Sequence, residues 1–141
     1  MKNLKPILSS LMLTSTLLNA QVWAGDLTVE VSGLTQAKGD VQVALFDQQG
    51  QWLRKAVASK KVAAAEGKVQ IVFENLPDGE YGLSVFHDLN GNGKLDMNMI
   101  GIPTEPYGFS NDAAGSFGPP SFADAKVKLE QDKKTISIRL N

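Results

Sequence analysis

Apolar and polar residues alternate along most of the chain after residue 24. Leu27, Val29 and Val31 alternate with Thr28, Glu30 and Ser32; Val41, Val43 and Leu45 repeat the pattern, as do Val69, Ile71 and Phe73. Tyr81, Leu83 and Val85 follow, then Val127 and Leu129, then Ile136, Ile138 and Leu140. A period of two places one face of each run inward and the other outward, the signature of a half-buried β-strand. Turn residues separate the runs: Gly33, Gly39-Asp40, Pro77-Asp78-Gly79 and Gln131 to Lys134. Short strands at this spacing predict an all-β sandwich or small barrel. Between residues 50 and 66 the pattern weakens. Gln51 to Lys55 fits a helical turn, and Ala56 to Ala63 is read as a seventh strand, although its alanines would also suit a helix.

Two segments break the alternation. Residues 1–24 have Lys2 and Lys5 ahead of an uncharged apolar, Ser/Thr-rich run from Pro6 to Ala20. Val22-Trp23-Ala24 then puts small or compact residues, Val22 and Ala24, at the positions a signal peptidase reads, which completes the pattern of an export signal, with cleavage expected after Ala24 and Ala20 as second choice. The run is too short for a membrane anchor, and with no cysteine in the chain a lipid anchor on a processed Cys is excluded. A single domain over residues 25–141 is expected, in the periplasm or secreted. It is large enough to bury a core without disulfides. Its 12 basic and 15 acidic residues leave it mildly acidic, which argues against a nucleic-acid partner.

The second break is residues 88–124, which carry six glycines, four prolines and no sustained alternation. Loops of that length are functional or disordered. Met97, Met99, Ile100, Tyr107, Phe109, Phe117 and Phe122 are too apolar for a solvated linker, so an ordered loop packed on one end of the sandwich is expected.

The loop opens with Asp88-Leu89-Asn90-Gly91-Asn92-Gly93-Lys94-Leu95-Asp96. Side-chain oxygens fall at relative positions 1, 3, 5 and 9, a Gly at 6, and Lys94 at 7 offers its backbone carbonyl. These are the first nine positions of a helical calcium loop. Position 12 is Met99 in place of a bidentate Glu, and a strand leads in, so this is not an EF-hand. If Ca²⁺ binds, the closing carboxylate comes from Glu105 or Asp112, with Asn98 a further donor. The other reading is a plain Asn-Gly hairpin turn. His87, the only histidine, is read as closing a strand against a loop carbonyl. A lone His disfavours zinc.

Catalytic motifs are lacking: there is no nucleophile elbow, paired-His zinc motif or phosphate loop. Asp88 with Glu105 as an acid–base pair of a hydrolase is the remaining catalytic option, and no enzyme activity is expected. Tyr107, Phe109, Phe117 and Phe122 form either a surface for a protein or small-molecule partner or the loop's own small core.

"LPDGEYGLSVFHDLNGNGKLD" followed by "GIPTEPYGFSNDAAGSFGPPSFADAKVKL" resembles a bacterial family of small exported proteins known as domain of unknown function 2141. The resemblance covers essentially all of residues 25–141 and is most specific from Gly101 to Asn111 and from Gly118 to Phe122. It implies a transthyretin-like, carboxypeptidase-regulatory-like or Ig-like sandwich with seven strands in a Greek key, and an extracytoplasmic home. It implies no activity. The Asp88–Asp96 spacing is also similar to calcium loops of adhesin B-type domains, where such loops stiffen a sandwich. Two functional classes follow: a binding or structural module whose long loop is ordered by Ca²⁺, and a small-molecule or glycan-binding protein that uses the aromatic loop without metal. The first predicts oxygens converging on one point, the second an exposed concave site with Tyr107 or Phe109 accessible.

Overall fold

The computed structural model describes residues 23–141, and the expected leader falls outside the described residues except at its last two positions. The alternating runs all become strands: β1 (Ala24–Leu34), β2 (Asp40–Phe46), β3 (Ala58–Ala63), β4 (Gly67–Pro77) and β5 (Gly79–Asp88). The short β6 (Tyr107–Phe109) and β7 (Val127–Leu129) precede the last strand, β8 (Lys134–Arg139). The uncertain 50–66 region resolves into a helical turn at Gln49–Gln51 and strand β3, which pairs antiparallel with β2.

The chain is all-β, with two sheets. One has the order β4-β1-β8, in which β1 and β8 run parallel. The other has the order β3-β2-β5-β6, with β7 also on β5. Leu27, Val29 and Val31 of β1, Val41, Val43 and Leu45 of β2, and Leu83 and Val85 of β5 meet in one buried cluster shared by both sheets. Each such side chain contributes about 1.5–3 kcal/mol through burial. This cluster is what the period-two pattern predicts.

Eight strands are described where seven were expected. The additional one, β6, lies inside the 88–124 segment, which also contains a 3-10 turn (Ser110–Asp112) and a four-residue helix α1 (Phe122–Ala125). The segment is thus part of the sheet as well as a cap on it. Its role there is to complete the open edge of β5. β7 pairs with Gly79–Tyr81, β6 pairs with Ser84–Phe86, and the His87 N–H donates to the Pro106 carbonyl at 2.8 Å. Between β7 and β6 the edge would be bare at Leu83. There the buried Ser110 hydroxyl accepts from the Leu83 N–H at 2.9 Å and donates to the Ala125 carbonyl. Gly108 of β6 permits this pairing. A Cβ there would stand 2.7 Å from the Arg139 carbonyl oxygen, so a larger residue would push β6 off β8.

His87 ends the inward face of β5, fully buried, with Nε2 2.6 Å from the Lys38 carbonyl oxygen. This is the loop-carbonyl contact expected of it. Its Nδ1 has no partner among the described residues.

Replacing Ser110 by Ala leaves the Leu83 N–H and the Ala125 carbonyl buried and unpaired. A loss of about 1–3 kcal/mol is expected, read as a lower urea midpoint at unchanged slope.

Candidate functional site

The loop after β5 takes its shape from two carboxylates and a series of asparagines. Gly91 and Gly93 sit at φ +71° and +77°, the left-handed region that favours glycine, and turn the chain back over the end of β5. Asp88 lies beneath this turn, 1% exposed. It accepts from the Gly93 N–H at 2.8 Å, the Asn92 N–H at 3.2 Å and the Gln42 side-chain amide at 2.8 Å. Burial alone pushes its carboxyl up. The hydrogen bonds from Gly93, Gln42, Asn92 and Gly91 together outweigh that and hold it below the usual carboxylate range.

Glu105, also buried, accepts from the Leu89 N–H at 2.9 Å and from the Asp96 N–H at 3.0 Å. These two amides flank the turn on either side, so one carboxylate ties both ends of the loop. Asparagines shape what lies between and beyond. Asn90 Oδ1 accepts from the Asn92 N–H, Asn92 Oδ1 from the Lys94 N–H, and Asn98 Oδ1 from the Ile100 and Ile102 N–H groups. Each such bond lets a side chain replace a backbone partner in a tight turn.

Of the residues expected around a cation, Asp88, Asn90, Asn92 and Asp96 are therefore brought into one loop. Asp96 accepts from the Asn90 and Asn92 side-chain amides at 2.5 and 2.8 Å. Glu105 is close by but faces main-chain amides, and the Lys94 side chain is exposed. Asp112 is elsewhere, accepting from the Arg139 N–H of β8 at 2.9 Å. Among the described residues no group of three or more His, Cys, Asp or Glu side chains is placed to hold a metal ion.

The aromatic set divides. Phe122 is buried and does not belong to an accessible surface. It packs with Phe46 and Phe109 around Trp52, at ring-centroid distances of 5.8, 5.1 and 6.0 Å from the indole. Trp52 lies over Gly82, where a Cβ would come within 2.6 Å of the indole ring, and its Nε1–H donates to the Pro120 carbonyl at 2.8 Å. The loop is thus pinned to the outer face of the sheet by a tryptophan some 70 residues upstream of the carbonyl it binds. Trp52, Gly82, Ser110 and Gln42 were all missed by sequence reasoning. Their signals were a tryptophan in the stretch read as a helical turn, a glycine interrupting β5 and, for Ser110, its place in the family-like run from Gly101 to Asn111.

Tyr107 and Phe109 are half-buried, and with Ser84 and Phe86 they floor a groove of about 650 Å³ on the outer face of the β5–β6 pair. Leu95, Met97, Ile100, Ile102 and Pro103 form one wall. Phe117, fully exposed, stands in the other with Gly115 to Pro119. The wall from Met97 to Pro103 is a small closed turn, bridged between those two residues and tied by Asn98. Leu95 is half-buried and lines the groove.

A family profile described as "Uncharacterized protein conserved in bacteria (DUF2141)" matches residues 29–137, which is most of the chain. The chain belongs to this family. The match to DUF2141 runs from β1 into β8 and includes the whole 88–124 segment. No curated protein and no solved structure matches the chain.

The Asp88 hydrogen bonds predict an acid limit to stability. Its folded pKa lies below the ordinary value near 3.9, so its contribution is complete above that value. It is lost as pH falls from about 4 toward the lower folded pKa. Thermal melts from pH 7 to 2.5 are expected to fall steeply below pH 4 in the wild type, and less steeply in Asp88→Asn, which starts from a lower melting temperature.

Proposed function

We propose that this DUF2141 protein is an exported, non-enzymatic binding module, built on a transthyretin-like Greek-key sandwich, whose binding site is the groove under the 88–124 segment. The groove is the observation that carries the reading. Its volume lies within the about 300–1,000 Å³ of small-molecule sites, and it is lined by apolar and aromatic side chains with few polar groups, as such sites are. Accessible Tyr107 and Phe109 are what the ligand-binding class requires. Asp88 and Glu105, the only candidate acid–base pair, spend their oxygens on main-chain amides of the loop. That supports a scaffolding role for them over hydrolysis. The N-terminal export pattern supports a periplasmic or secreted location.

A fragment screen by ¹⁵N NMR tests the binding reading. Groove-lining residues such as Tyr107, Phe109 and Ile102 are expected to shift together with at least one member of a library spanning neutral, anionic and cationic compounds. Absence of any such shift ends the reading.

Calcium is proposed as a reinforcement of the same loop, with Asp88, Asn90, Asn92 and Asp96 as side-chain donors, Lys94 through its carbonyl, and Glu105 closing. The gathering of the first four into one hydrogen-bonded loop supports this. The oxygens are hard donors of the kind Ca²⁺ prefers. The Asn90 and Asn92 amide nitrogens face Asp96, so ion binding requires those two amides to turn over. Because Glu105 and Asp88 already close the loop, the ion tightens an existing shape. With a dissociation constant on the order of 10⁻⁴ M, about 1 mM Ca²⁺ adds roughly 1.4 kcal/mol. A rise in melting temperature of about 5 °C over EDTA is expected, absent in Asp96→Ala. Equal melting of the wild type in both buffers refutes the calcium role.

A further inference from the structure

We infer that the groove takes an uncharged amphiphile with an acyl chain, the chain lying between the Met97–Pro103 turn and Phe117 and the polar end remaining in water. The inference rests on the groove being the binding site and adds what occupies it. Its first support is charge. Some 21% of the chain is Asp, Glu, Lys or Arg, yet none of these, nor His87, lines the groove. The polar side chains there are hydroxyls, those of Ser84, Ser116 and Tyr107. A charged ligand would lose its hydration against these walls without gaining a partner, so an uncharged one is selected.

The second support is the character of the walls. Met97 and Ile102 are flexible or aliphatic and conform to a chain, with Tyr107 and Phe109 beneath as a firm aromatic floor. Ile100, Ile102, Met97 and Phe117 are all more than half exposed in the free protein, an apolar surface concentrated around one opening. The wall keeps its form without an occupant, since Asn98 and the Met97–Pro103 bridge satisfy the turn's own backbone groups. The groove is open to solvent, which leaves room for a hydroxyl or ester head in water.

The test uses N-phenyl-1-naphthylamine, an uncharged dye that fluoresces in apolar surroundings, displaced by monoacylglycerols below their micellar concentration. Saturable one-to-one dye binding is expected, with displacement affinity rising up to about fourfold per added methylene until the groove is filled. Ile102→Asp and Phe117→Asp are each expected to weaken binding about tenfold or more at unchanged melting temperature. Val57→Asp, at a position outside the groove about as exposed as Ile102, is expected to leave it within about twofold. The inference is overturned by no dye binding, by binding equal in all variants, or by affinity independent of chain length. It is also overturned if the protein sediments with phosphatidylcholine vesicles yet ignores monomeric amphiphile, or if it forms a dimer that Ile102→Asp dissolves. If the NMR screen finds charged fragments in the groove while the monoacylglycerols do nothing, this inference fails and the binding module stands. If neither binds, both fail.

Discussion

Carboxylates bound to main-chain amides hold the long-loop end of this molecule together. Asp88 and Glu105 are buried, and each spends its charge on N–H groups of the turn that opens the 37-residue segment after β5. A charge-assisted bond of this kind is roughly twice as strong as a neutral one. It also fixes direction, because an N–H must point at the oxygen. With both ends of the turn tied, the chain leaves it on a set course, past Leu95 and the Met97–Pro103 turn and into β6. The groove exists because that course runs above the sheet and not flat against it.

A second constraint acts from below. β5 has β2 on one side and, on the other, a composite of β7, the Ser110 hydroxyl, β6 and the Pro106 carbonyl. No piece is longer than three residues. Each is too short to be stable as a strand by itself, and the strand they jointly cover supplies the register. The Trp52 cluster over Gly82 then fixes the outer layer to that face. Loop and sheet are consequently one packed unit, and the groove floor is sheet while its walls are loop.

This division explains what was legible in the residues alone. Strands with one buried face write themselves as alternation, so β1, β2, β4, β5 and β8 are readable from Leu27, Val43, Ile71, Leu83 and Ile138. The importance of 88–124 was readable from its length and its aromatic residues, and the involvement of Asp88, Asn90, Asn92 and Asp96 from their spacing. β6 was not, because its centre is Gly108, present for a close approach to β8 that only tertiary structure reveals, and the residues around it carry no further alternation. Nor was the partition of the aromatics. Phe122 and Phe117 look alike in sequence, and it is Trp52, distant along the chain, that buries one and leaves the other in solvent. Glu105 was recognised as a partner of the loop, yet its contacts with the Leu89 and Asp96 amides follow from chain direction, which side-chain spacing does not encode.

The parallel pairing of β1 with β8 carries a consequence for how the molecule comes to be. The two strands join segments about a hundred residues apart, with β1 at the centre of its sheet. Until residues 134–139 emerge from the ribosome, β1 has one row of amides and carbonyls without partners. The sheet around β1 therefore closes only once β8 has docked, whatever has formed before it. Such non-local closure is slow, on the order of milliseconds to seconds, which leaves a window for chaperones to hold the chain unfolded.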